Sequence, residues 1–505
     1  MAGAEVDGMM PEIKATKMKK RSMRTRILSF DGVSKAIDER LLPIRISPNA
    51  YNYAFRNGAL KGDLGVVPAR FPLLDYPIAE YQLPELPTQP KSAHFYSRFN
   101  RSACRRDDRI VIADHRGLLI QIPAFLNDQS WSTIAGVTVS GDTATVNYNY
   151  NGDDILLISS ARGSTYFWDG GPSAALLPHA PAFSSLTRHY ERVYGSISGN
   201  KNRVWYSSYL NPLDWDASGE GAGYIEFNDE GGEVLKVVSF LSYLFIFRQH
   251  EILRLKAFGD QSEFSLSKIF SAAGRIMADS ITLCGDRIIF LADDGLFELD
   301  GNSTRKIVSE FKKTIAAKDT VSGCFLHGKY YLAAYVDYCD ELQPYEPFAK
   351  GEDNNSIIEY DVATGSVCYM RGLDARKLLS VDYNIAARVL VIFRHYPLAP
   401  KLGTIYHEGR FMGYSAADTL HKHWESPESD LGYPGRKKVI KKIYFTAKGA
   451  TDLTVCLDGK KTVYKNLSGD AEVRIDRPAE IIKFAFDSDC YNASVTAATV
   501  DFDLI

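Results

Sequence analysis

Three adjacent carboxylate pairs, Asp107-Asp108, Asp153-Asp154 and Asp293-Asp294, are the side chains in this sequence best suited to catalysis. Two carboxyl groups flanking a sugar linkage act as acid and as nucleophile or base in glycoside hydrolysis. Each pair, however, falls at a turn between apolar stretches, where Asp hydrogen-bonds its own backbone. They are therefore expected to be turn residues. The sialidase Asp-box pattern, Ser-x-Asp-x-Gly-x-x-Trp, falls best on Asp293 and Gly295, but Leu291 and Glu298 occupy its first and last positions. His421 and His423 flank Lys422 without Cys or carboxylate partners at ligand spacing, and are expected in a solvated linker. Phosphate-binding glycine loops and a nucleophile elbow are missing from the sequence. No enzymatic activity, catalytic residue, cofactor or metal is predicted.

Charge is patterned in two places. Lys14 to Arg26 holds seven basic residues and no acid, with Lys19, Lys20, Arg21, Arg24 and Arg26 as candidate interface residues. Between Val204 and Leu235 stand seven acids and no base: Asp214, Asp216, Glu220, Glu226, Asp229, Glu230 and Glu233. Either run alone suits a solvated segment. Together they suit contact between neighbouring copies, or between the basic arm and an acidic surface or DNA phosphate. The acidic stretch is expected at a lumen or subunit seam. A formal charge of −3, from 59 Lys+Arg and 62 Asp+Glu, excludes a chain that binds nucleic acid over its whole surface.

The elements that would position these residues are strands. Hydrophobic residues at 45% and charged residues at 24% are globular values, and 29 Tyr, 26 Phe and 38 Gly favour β structure. After about residue 100 a unit of strand, turn and strand recurs. With Ile110, Ile155, Val204, Tyr243, Ile288, Tyr330 and Leu390 as equivalents, the steps are 45, 49, 39, 45, 42 and 60 residues. A period of roughly 40 to 50 residues in antiparallel strands predicts a β-propeller, here of about seven blades. A stack of β-sandwiches is the alternative. The expected organisation is an extended basic and Pro-rich arm over 1–100, a propeller over 101–421 and a small β-sandwich-like module over 422–505. The module could instead supply a strand that closes the ring. One helix is expected, over Ser303 to Ala317, where Ile307, Phe311 and Ile315 recur every four residues. The seven scattered cysteines (104, 284, 324, 339, 368, 456 and 490) read as buried thiols. The start lacks a secretory signal pattern and no stretch is apolar enough to span a membrane, so synthesis in a cytosol is expected.

Gly199 to Ile315 carries a resemblance. Asn202-Arg-Val-Trp-Tyr-Ser-Ser, Asn211-Pro-Leu-Asp-Trp, the acidic Gly-rich loop, Val237 to Leu255, Ser271-Ala-Ala-Gly-Arg and Ile288 to Leu299 follow one another. This succession resembles the β-propeller proteins of bacteriophage tails, in particular the packaged-DNA stabilisation or tail-hub (nozzle) proteins of short-tailed phages. Ser47-Pro-Asn-Ala-Tyr-Asn-Tyr-Ala-Phe-Arg-Asn-Gly-Ala-Leu looks like their N-terminal arm. The resemblance implies a structural virion protein, made in the host cytoplasm. It would form a ring of copies below portal and adaptor proteins, around the DNA channel, and hold the genome until ejection. Its partners would be further copies, portal-adaptor and tail proteins, and non-specifically the passing DNA. A distal receptor-binding tail protein and a propeller glycan hydrolase are the alternatives.

Overall fold

The computed structural model describes residues 22–34, 37–72, 80–124, 129–197, 202–219, 221–258, 261–271, 274–308, 315–316, 320–338, 354–381, 387–393, 402–405, 421–490 and 492–505. The protein is an all-β, seven-bladed propeller with an appended β unit; among the described residues the helical segments are three short 3₁₀ turns. The blades span 90–138, 143–176, 183–226, 234–271, 282–308, 322–371 and 375–405. Strands are lettered A to D from the central channel outward. Each B strand is buried on both faces by neighbouring blades, so it reads as a continuous apolar run rather than an alternation. Ile110-Val-Ile-Ala, Leu244-Phe-Ile-Phe and Ile288-Ile-Phe-Leu are all 0 to 1% exposed. The apolar contacts between adjacent blades form successive clusters around the ring.

The ring is closed by the N-terminal arm. Blade 7 supplies Ala375–Val381, Arg388–Phe393 and Leu402–Ile405, and its D strand is Val66–Pro68. The closing register pairs Gly403 with Pro68, Thr404 with Val67 and Ile405 with Val66. Gly403 has no substitute here, because a Cβ would lie 2.5 Å from Val66 Cγ1. The boundary expected at residue 100 thus cuts through sheets: Pro90–Tyr96 is strand A of blade 1, and Val66–Pro68 is strand D of blade 7.

The appended unit is a nine-stranded sheet drawn from both ends of the chain. Ser22–Ile27, Ala50–Tyr51, Ala54–Arg56 and Ala59–Lys61 join Lys422–Glu425, Lys438–Leu457, Lys460–Ala479, Ile482–Ser488 and Ser494–Leu504. The long Lys438–Leu457 strand pairs first with Ser494–Leu504 and then with Ile482–Ser488, with register breaks between Ala447 and Leu453 where it changes partner. Its core includes Phe30, Trp424, Ile443, Val455, Phe486 and Phe502, and is continuous with residues of blades 6 and 7.

Three expectations need correction. Thr304–Val308 is strand D of blade 5, not a helix; a β-branched edge on Gly295–Leu299 outweighs the four-residue periodicity, and 309–314 lie outside the described residues. Val204 belongs to strand C of blade 3, whose B strand is Arg192–Ile197. Among the cysteines, 284, 324 and 368 are buried, 456 and 490 are partly buried, and Cys104 is exposed on the A–B hairpin of blade 1; Cys339 lies outside the described residues.

Candidate functional site

Strand A of four blades carries a bulge at one level. The register shifts between Pro90 and Ser92, Phe183 and Ser185, Val234 and Lys236, and Ala375 and Lys377. A bulge leaves one residue unpaired and re-aims side chains locally. The four extra residues, Lys91, Ser184, Leu235 and Arg376, all line the central cavity at the mouth formed by the D-to-A connections. This cavity measures about 950 Å³. Five cations line it, Lys91, Arg162, Lys236, Arg275 and Lys377, against the three carboxylates Asp142, Glu233 and Asp279, and a smaller recess beside it adds Arg376 and Asp374.

Two of the ammonium groups share one carboxylate. Lys377 Nζ lies 3.0 Å from Asp279 Oδ2, and Lys236 Nζ donates to Ile281 O at 2.7 Å. Lys91 Nζ donates to Gly141 O at 2.6 Å. Burial pushes Lys236 down to about 8, against the pull of Asp279 and with a further push from Lys377. Asp279 is half-exposed to the channel yet enclosed by protein; burial would raise its pKa, but Lys377 and Lys236 outweigh this and hold it low. Behind them, His94 sits between Ser92 Oγ (3.2 Å) and Thr145 Oγ1 (3.1 Å). Burial and then Lys377 push it down to about 3, so it is neutral. These cations carried no motif in the sequence. The one available signal is a Lys or Arg near the start of a strand A, as at Lys91, Lys236 and Arg376-Lys377.

A second ionic cluster joins the propeller to the appended sheet, and it overturns the solvated-linker expectation for His421 and His423. The antiparallel neighbour Ile482–Ser488 places Asp487 directly opposite His423. His423 Nδ1 lies 2.7 Å from Asp487 Oδ1, with Glu425 Oε2 at 3.7 Å from Nε2. His421 meets Asp489 at 2.9 Å and Asp487 at 3.3 Å. Burial alone would lower the pKa of His423, but the bonds and charges of Asp487 and Glu425 win and raise it to about 9. Its ring stacks on Tyr51, and the Arg371 guanidinium of blade 6 covers both Tyr51 and Tyr338. Asn52, held at φ 61°, completes the joint. Its amide accepts from Arg371 N at 2.8 Å and donates to His421 O at 2.7 Å, while its backbone N–H donates to Tyr369 O.

No protein-family model and no curated protein matches the chain. Some solved structures are similar to the chain. Two of those similar to it are crystal structures of BBS1N in complex with ARL6DN, one soaked with mercury and one with lead. They align with TM-scores of 0.40 and 0.39 at 11% identity, covering 64% and 65% of this chain and 93% and 94% of theirs.

The acids of the Val204 to Leu235 stretch do not form one patch. Asp214 accepts from Ser208 Oγ and Asp216 from Ser218, both in the C–D loop of blade 3. Glu226 pairs with Arg203 on the outer strands. Asp229 binds the fully buried Arg248, which also holds Glu251 and the Gly232 carbonyl. Gly231 leaves room for that pair, since a Cβ there would displace the Glu251 and Arg248 side-chain ends. Glu230 is exposed and Glu233 lines the channel. Arg24 makes a paired contact with Asp501 (2.6 and 2.8 Å), and Arg26 is exposed on the same strand. Lys19, Lys20, Arg21 and Glu220 lie outside the described residues. The carboxylate pairs hold local structure: Asp107 binds Arg98 and Arg109, Asp108 binds Arg106, Asp154 accepts from Phe99 N, and Asp293 from Arg275 N. Among the described residues, no group of His, Cys, Asp and Glu is placed to hold a metal, and no helix is long and apolar enough to cross a membrane.

Proposed function

We propose that this chain is a structural virion protein of a bacteriophage tail. In this reading its copies form a ring around the DNA channel at the head-to-tail or nozzle region and retain the packaged genome until ejection. The observation that carries the reading is the placement of Ser47 to Leu60, the segment that looks like the arm of the tail-hub proteins. It supplies Asn52 and Tyr51 to the joint with blade 6, strands to the appended sheet, and the run-in to the ring-closing strand. An arm so used makes propeller and appended sheet one stiff unit, as a load-transmitting wall element requires. Further copies and the portal-adaptor proteins are the partners.

Mass determination and negative-stain microscopy of the purified chain, alone and mixed with candidate portal-adaptor complexes, test this. A closed ring that docks on the adaptor is the expected result. A stable monomer that ignores the adaptor overturns the reading, and binding of that monomer to host cells would make it a receptor-binding protein. Reversing either the exposed Glu230 or the exposed Arg26 alone is expected to weaken ring assembly, or DNA retention in virions, and reversing both together is expected to restore it.

A further inference from the structure

We propose that the D–A mouth of the propeller channel binds a small oxyanion, a ligand carrying phosphate or carboxylate groups. This goes beyond the tail reading, because the site lies within one chain and needs no second copy.

The first argument is the repeated bulge. A structural strand A needs no interruption, yet four of the seven carry one at the same level, and two of the four bulge residues are Lys91 and Arg376. A third bulge brings Lys236 to the cavity beside Leu235, and the fourth brings Lys377 beside Arg376. Bulges recur where a side chain must be re-aimed next to a site.

The second argument is incomplete compensation. Lys236 and Lys377 share the one carboxylate Asp279. An ammonium has three N–H donors. Among the described residues, those of Lys236 meet a single hydrogen-bond acceptor, Ile281 O. Enclosed cations in this state favour an incoming anion, whose oxygens would take the remaining donors and offset the desolvation already incurred.

The third argument is lining and size. A recess of about 210 Å³ at the mouth is lined by Lys91, Arg376 and Lys377 and by Thr143, whose Oγ1 is buried and, among the described residues, without a hydrogen-bond partner. That is space for a compact ligand at the centre of the ring rather than a groove that follows a polymer backbone.

Calorimetric titration of the full chain at low ionic strength, with pyrophosphate and citrate as probes, tests the proposal. One saturable site per chain is expected for at least one probe. Pyrophosphate alone assigns a phosphate ligand, citrate alone a carboxylate ligand, and both a site led by charge. Lys91→Gln and Lys377→Gln are each expected to weaken binding by about tenfold or more. Lys441→Gln, on the appended sheet, leaves it unchanged. Hydrogen exchange of the unmodified chain, independent of how any variant folds, is expected to show probe-dependent protection confined to peptides covering 91–94, 235–237 and 375–379. The proposal is overturned if neither probe saturates, if Lys441→Gln weakens binding as much as Lys377→Gln, or if protection falls elsewhere.

Discussion

The channel mouth and the joint both enclose basic groups beside carboxylates, with opposite outcomes. At the joint, His421, His423 and Lys483 face Asp487, Asp489, Glu425 and Glu39, and the proton affinity of His423 rises. At the mouth, Lys236 and Lys377 share Asp279, and the proton affinity of Lys236 falls. Enclosed cations that acids outnumber are held in place and hold their neighbours. Enclosed cations that outnumber their acids are left able to respond to something else. The difference separates a structural cluster from a receptive one within a single fold.

The largest effect that would sharpen this contrast lies beside the joint. Trp424 is 0% exposed, edge-on to Phe30 and stacked on Phe486. Trp424→Ala should cost about 3–5 kcal/mol in denaturant unfolding. Leu235→Ala, at the partly open channel mouth, should cost about 1 kcal/mol or less. Asn52→Ala comes next: it strips two buried backbone groups of their partners and should cost about 1–3 kcal/mol. Equal losses at Trp424 and Leu235 would break the distinction between the two regions.

The pH dependence gives a subtler test. His423 has a folded pKa of about 9 against an ordinary 6.5, so its contribution is full below 6.5 and is lost as pH rises through 9. His94 runs the other way: its folded pKa is about 3, so stability falls as pH drops from 6.5 toward 3. Lys236, lowered from 10.5 to about 8, disfavours the folded state at lower pH and recovers that loss only as pH rises from about 8 toward 10.5. The unfolding midpoint should therefore be highest near pH 6.5 and decline toward pH 8, and the decline should shrink in His423→Gln. A decline that persists undiminished in that variant would remove the joint as its source. The smallest effect is expected from Lys236→Met, which leaves Asp279 paired with Lys377 and should change stability by no more than about 1 kcal/mol.

The propeller was legible because each B strand is sandwiched between blades and its sequence has no polar face to hide. Where that condition failed, the reading slipped. Strand B of blade 3, Arg192-Val-Tyr-Gly-Ser-Ile, has Gly195 at a point where a Cβ would lie 2.5 Å from Phe183, so its apolar run is broken. Strand C, Arg203-Val-Trp-Tyr, then took its place in the count. The joint was illegible for another reason. His423 and Asp487 stand 64 residues apart and meet only through strand pairing, which no local spacing encodes. The mouth cations were hidden because a bulge is a property of register, not of composition. The role of Val66–Pro68 was illegible too, because an extended segment does not announce which edge it will pair with.

That last pairing sets the order in which the molecule can be made. Val66–Pro68 leaves the ribosome long before Leu402–Ile405 exists, and the two must then find each other across more than 330 residues of chain. Until they do, blade 7 presents a bare edge, and an unpaired strand edge is a template for the wrong partner. Closing the ring is thus a long-range capture rather than a local collapse. In a crowded assembly line of identical chains, the arm of one copy and the open seventh blade of another are each other's nearest competitors.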